Sequence, residues 1–128
     1  MDEPVADERE ELSRQLLAIY RAGLPFVETS DAVLATLGER EAWRAAALWV
    51  PDVHERAMVG VATWVAEPRY ERFGVETRGA ALAVESSTVG RCWRTGQVIW
   101  IDDVGASEGF VRKELLVECG LPTVYFAP

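Results

Sequence analysis

The sequence is poor in the residues that announce the commonest chemistries. It has one histidine, His54, and two cysteines, Cys92 and Cys119, in 128 residues. No CxxC pair is present, so neither a disulfide framework nor a cysteine-based metal site is encoded. A metal or haem ligand at His54 would have to work without a second histidine. Lys113 is the one lysine among 13 basic residues, and the arginines are dispersed. That leaves no basic stripe for a phosphate backbone, and nucleic acid is excluded as a partner of this surface. No run approaches the roughly 20 apolar residues of a membrane span. The start is acidic where a targeting peptide would be basic. The expected setting is cytoplasmic, with reduced thiols and no membrane contact.

What is present fits an acidic globular protein. Hydrophobic residues make up 49% and charged residues 27%, with a net charge of −8. A chain of this size removes roughly two-thirds of its unfolded surface from water and can enclose a core and a modest pocket without staples. Of the −8, residues 1–11 supply −5, because Asp2, Glu3, Asp7, Glu8, Glu10 and Glu11 face only Arg9. The organisation expected is an acidic segment over 1–11, starting the first helix, and a single domain over 12–128.

Leu12, Leu16, Ile19 and Tyr20 recur at helical spacing and predict a helix from about Ala6 to Ala22. Thr29 or Ser30 then offers an N-cap for a second helix that Gly38 closes. Trp43–Val50 and Met58–Val65 read as a hairpin of two strands around the polar loop PDVHER. On the second strand Met58, Gly60, Ala62 and Trp64 share one face. Residues 67–80 form a long crossing with a short helical turn. Ser86, Ser87 and Thr88 cap a helix carrying Val89, Cys92 and Trp93 on one side and ending at Gly96. Gln97–Ile101 is a strand, Ser107 caps a last helix, and Thr123–Ala127 begins another strand.

The run from Glu85 to Pro128 carries Gly90, a helix ending in the Trp93-x-x-Gly96 pattern, a short strand and the Asp103-Val104 turn. Phe110, Gly120-Leu121 and the strand ending in Ala127-Pro128 follow. This run resembles the second half of a GAF domain, and the preceding helices and hairpin fit the family's first half. The resemblance implies an α+β fold, a PAS-related sandwich in which an antiparallel β-sheet is flanked by helices. It also implies a pocket between the sheet, the long crossing and the last two helices. Typical members continue past the proline with a hairpin, a central strand and a closing helix, so the fold implied here is incomplete at its C-terminus.

The resemblance opens several activities that the residues then restrict. A thiol-dependent methionine sulfoxide reductase would need Cys92 or Cys119 to be reactive, yet both lie on apolar helical faces, and one reductase-type cysteine aligns near Val89. Bilin attachment needs a cysteine followed by histidine, and neither cysteine is. The cyclic-nucleotide set contains an asparagine, and this chain has none. Ser86, Ser87, Asp102 and Asp103 lack a basic partner and read as caps and turn residues.

The function expected is therefore a non-enzymatic sensory or regulatory domain without a cofactor. Trp64, Phe73, Val89, Trp93, Trp100, Phe110 and Leu116 are the candidate lining of a pocket for a small apolar molecule. A homodimer through Leu12, Leu16 and Ile19 on the first helix is the expected assembly, and packing of that helix onto its own domain would use the same residues. The alternative is a ligandless dimerisation module whose tryptophans fill the pocket.

Overall fold

A computed structural model describes residues 3–128. Two helices, α1 (Glu3–Arg21) and α2 (Phe26–Glu41), precede the hairpin β1 (Ala45–Asp52) and β2 (Ala57–Val65). The crossing contains a 3₁₀ turn at Pro68–Tyr70 and α3 (Glu71–Thr77), then the short β3 (Ala81–Ala83). After α4 (Thr88–Thr95) come β4 (Ile99–Ile101), a 3₁₀ turn at Val104–Ala106, α5 (Lys113–Glu118) and β5 (Val124–Phe126). Strands β1, β2 and β3 form one antiparallel sheet in that order, and β4 pairs with β5 in a second. The Arg44 side chain, just before β1, donates to the Gly120 carbonyl at 3.3 Å and ties the second half of the chain to the first.

Helix α2 begins earlier and ends later than its sequence signals indicate. It starts behind Pro25, and the Ser30 hydroxyl donates back to the Phe26 carbonyl at 2.8 Å instead of capping. Hydroxyls inside a helix can take this four-residue return bond, which makes a cap residue and an interior one look alike in sequence. Gly38 lies within the helix, buried under the ring of Trp64, and the helix ends at Ala42 in the left-handed conformation. The glycine is needed for close approach, since any Cβ there would meet the indole.

Trp64 reaches α2 because the β1–β2 ladder contains a bulge. Leu48 pairs with Ala62 while Trp49 pairs with Gly60, so Val61 is an extra residue on β2. An extra residue reverses the facing of everything beyond it. Thus Met58 packs with Val84 and Val89, and Gly60 abuts Thr77 at the end of α3. Beyond the bulge, Thr63 and Val65 adjoin Gly74 of α3, and Trp64 turns to α2. The expectation that Met58, Gly60, Ala62 and Trp64 share one face is corrected accordingly.

Two further expectations change. The last helix is only Lys113–Glu118, and Ser107 does not cap it. Asp103 instead accepts from the Ala106 N–H and starts the 3₁₀ turn, and Phe110 stands in the loop before α5. Strand β3 is three residues long, and only its central Leu82 is partly buried. The helix α1 runs without a break across the boundary between the acidic segment and the rest. Against α2 it half-buries Leu12, Gln15, Leu16 and Ile19, so the seam assigned to a dimer is partly covered within the chain.

Candidate functional site

The main core cluster, Tyr70, Val104, Phe110, Leu116 and Leu121, lies between the crossing and the α5 region. Beside it opens an apolar cleft of about 300 Å³. One wall is Ala45–Trp49 of β1 and the opposite wall is Val124–Pro128, with Met58, Phe73 of α3, α4 and Leu116 between them.

Helix α4 is placed by three local features. The Ser87 hydroxyl accepts from the Gly90 N–H at 3.0 Å, Gly96 closes the far end in the left-handed conformation, and Gly90 rests directly on the Val84 backbone. Held so, α4 presents Val89, Cys92 and Trp93 to the cleft, as their i, i+3, i+4 spacing indicates. Val89 and Cys92 are buried, whereas Trp93 is 44% exposed and stands at the mouth.

Of the candidate lining, Phe73, Val89, Trp93, Phe110 and Leu116 are brought together at this cleft. Trp64 is not, because the bulge sends it to α2. Trp100 is not either. In β4 the flanking Ile99 and Ile101 turn inward, while Trp100 is 63% exposed with its ring 4.4 Å from that of Tyr125. Trp100 borders a second, polar cleft of about 490 Å³ that includes Arg91, Arg94, Asp102, Asp103 and Glu108. That cleft is larger, but its walls are exposed charges rather than an enclosing apolar surface.

Sequence reasoning missed Trp49 and Arg112. The guanidinium of Arg112 lies 5.1 Å from the Trp49 ring centre and 5.8 Å from that of Phe73, and forms part of the cleft wall. Burial draws its proton affinity below the ordinary arginine value, with Glu76 opposing; it stays protonated at neutral pH. Arg72 is the reverse case, raised by hydrogen bonds to Glu118 and Glu76. Nothing in the periodicity marks Arg112, which sits in a loop between Val111 and Lys113.

The chemistry of the other candidates is quiet. His54 is exposed in the β1–β2 loop, where its backbone N–H donates to the Asp52 carboxylate at 3.2 Å. Ser87 and Asp103 are caps. Both cysteines are free, Cys92 at the cleft and Cys119 against the Tyr70 cluster. Burial pushes the Cys92 thiol up, opposite to the shift a nucleophilic thiolate needs. In the folded protein Cys92 is therefore expected to react with Ellman's reagent at least tenfold more slowly than the half-buried Cys119. Equal rates would mean that solvent reaches Cys92 through the cleft. Because the raised value lets the unfolded chain lose this proton first, the thiol also subtracts stability as pH rises past the ordinary thiol range.

No family model matches the sequence, and no curated protein matches it. The solved structures that share the fold include two GAF domains. One is the GAF domain of an Acinetobacter phosphoenolpyruvate-protein phosphotransferase, at a TM-score of 0.63 and 13% identity over 80% of this chain and 58% of that one. The other is the nlh2 GAF domain of A. aeolicus in an inactive state, at a TM-score of 0.64 and 13% identity over 84% of this chain and 63% of that one. The chain thus has the α+β fold of GAF domains, and it spans less than two-thirds of either neighbour's length. No described helix is long and apolar enough to cross a membrane.

Proposed function

We propose that this chain is a regulatory domain of the GAF type that binds a small, largely apolar molecule in the cleft between β1, α4 and β5. The observation that carries the reading is the convergence of Phe73, Val89, Trp93, Phe110 and Leu116 on one cleft of about 300 Å³. This volume sits at the lower end of small-molecule sites, about 300–1,000 Å³. The domain is non-enzymatic in this reading, since His54 lies in the β1–β2 loop and Ser87 and Asp103 are occupied as caps. The likeness to a domain described in an inactive state supports a switchable role. Occupancy would shift a population of arrangements only by the ligand's differential affinity for them.

Native mass spectrometry of the protein purified from cells, beside a denatured spectrum, tests the proposal. An excess mass that disappears on denaturation is the expected result. A bare dimer would instead favour the interaction module, with α1 still offering Leu17 and Tyr20 at 46% and 68% exposure.

A further inference from the structure

Arg112 is the one charged side chain in the wall of the apolar cleft. Every other lining side chain is uncharged, from Ala45–Trp49 through α4 to the Val124–Pro128 segment. A guanidinium carries five donors and accepts nothing. The only hydrogen bond the Arg112 side chain makes among the described residues is a long one, 3.4 Å, to the Glu76 backbone carbonyl. No carboxylate lies within 4.0 Å of it among the described residues.

The acid that could have neutralised it is engaged elsewhere. The Glu76 carboxylate is held by Arg72 at 2.6 Å, and Arg72 also pairs with Glu118. Arg78 has its own partner in Asp31 at 3.0 Å. Arg112 differs from both in being half-buried, laid over the rings of Trp49 and Phe73. Stacking uses the face of the guanidinium and leaves the N–H donors, which lie in its plane, free for a planar two-oxygen acceptor.

We infer that Arg112 anchors the head group of the ligand, and that the ligand class is a small monocarboxylic acid with an apolar, preferably aromatic, body. This inference rests on the proposed cleft binding. The single charged side chain sets the valence, because a phosphate dianion would leave one negative charge uncompensated against apolar walls, which is costly. The aromatic walls, Trp49, Phe73, Trp93 and Phe110, favour a flat body.

The test uses the full chain, with 2-naphthoic acid and its neutral isostere 2-naphthamide as probes, read by calorimetry and by quenching of tryptophan fluorescence. The acid is expected to bind at least tenfold more tightly than the amide. R112M is expected to erase that preference while still binding the amide, and R112K, which keeps the charge but loses the fork, to retain part of it. Circular dichroism checks that each variant is folded, and the acid-to-amide ratio of the wild type stands as a test even if neither variant folds. Equal affinity of the wild type for acid and amide overturns the role of Arg112 and leaves the apolar cleft reading intact, as does a preference that survives in R112M. Failure of both probes to bind at millimolar concentration overturns the two readings together.

Discussion

Replacing Gly90 by alanine is expected to destabilise the protein by about 3 kcal/mol, at the upper end of the usual cost of overpacking a filled interior. The added methyl would overlap the carbonyl, Cα and O of Val84. These are backbone atoms of a buried residue that also packs with Met58 and Val89, so no side-chain rotation relieves the clash. Either α4 lifts away and exposes Val89 and Cys92, or the strand-to-helix link distorts. In a chain of this size the loss corresponds to a melting temperature lower by roughly 10 °C. Gly105→Ala is the control, because its methyl would meet only the Asp103 carboxylate at 3.4 Å. A Gly90→Ala protein that melts within 2 °C of wild type would mean that α4 is free to shift without cost, and the cleft wall it forms would not be fixed.

Phe110→Ala is expected to cost about 4 kcal/mol, within the range for removing a buried aromatic ring. Phe110 is 8% exposed, belongs to the Tyr70–Val104–Leu116–Leu121 cluster and meets Phe126 edge to face, with ring centres 6.1 Å apart. It also borders both clefts, so its removal weakens the partition between an apolar and a polar space and admits water to the former. Urea denaturation should show a lower midpoint with an unchanged slope, the signature of lost stability without a change in the surface exposed on unfolding. A loss under 1 kcal/mol would place Phe110 outside the cooperative core.

These two residues also show how far the sequence could be read. The α4 region was legible because its signals are local. A capping serine, three apolar residues on one helical side and a terminal glycine need no information from elsewhere in the chain, and Val89 and Cys92 were placed by them. The hairpin and the crossing were legible for the same reason. Trp64 was not, since one extra residue in the β1–β2 ladder reverses the faces, and simple alternation contains no sign of it. Phe110 reached the cleft although the helix expected to carry it starts only at Lys113, because the ring was anchored by the core rather than by helical phase. Trp100 was read as apolar wall, but a strand of three residues at the surface buries only its flanking isoleucines. Arg112 left no trace at all in the sequence, because what distinguishes it is tertiary: two rings from distant segments and the prior engagement of Glu76.

The division of the strands into two sheets bears on how the protein behaves at high concentration. Among the described residues strand β1 has β2 on one side only, and its other side faces the cleft. An unpaired strand edge is a template for a strand from another molecule, and natural proteins blunt such edges with proline and with bulges that twist the ladder. Strand β1 has Pro51 within it, and the bulge at Val61 of β2 falls opposite its Leu48 and Trp49. The unguarded stretch is Ala45–Ala47, and these residues line the cleft. A molecule bound there as proposed would stand between this edge and any incoming strand, so that occupancy of the site and resistance to edge-to-edge aggregation would rise together.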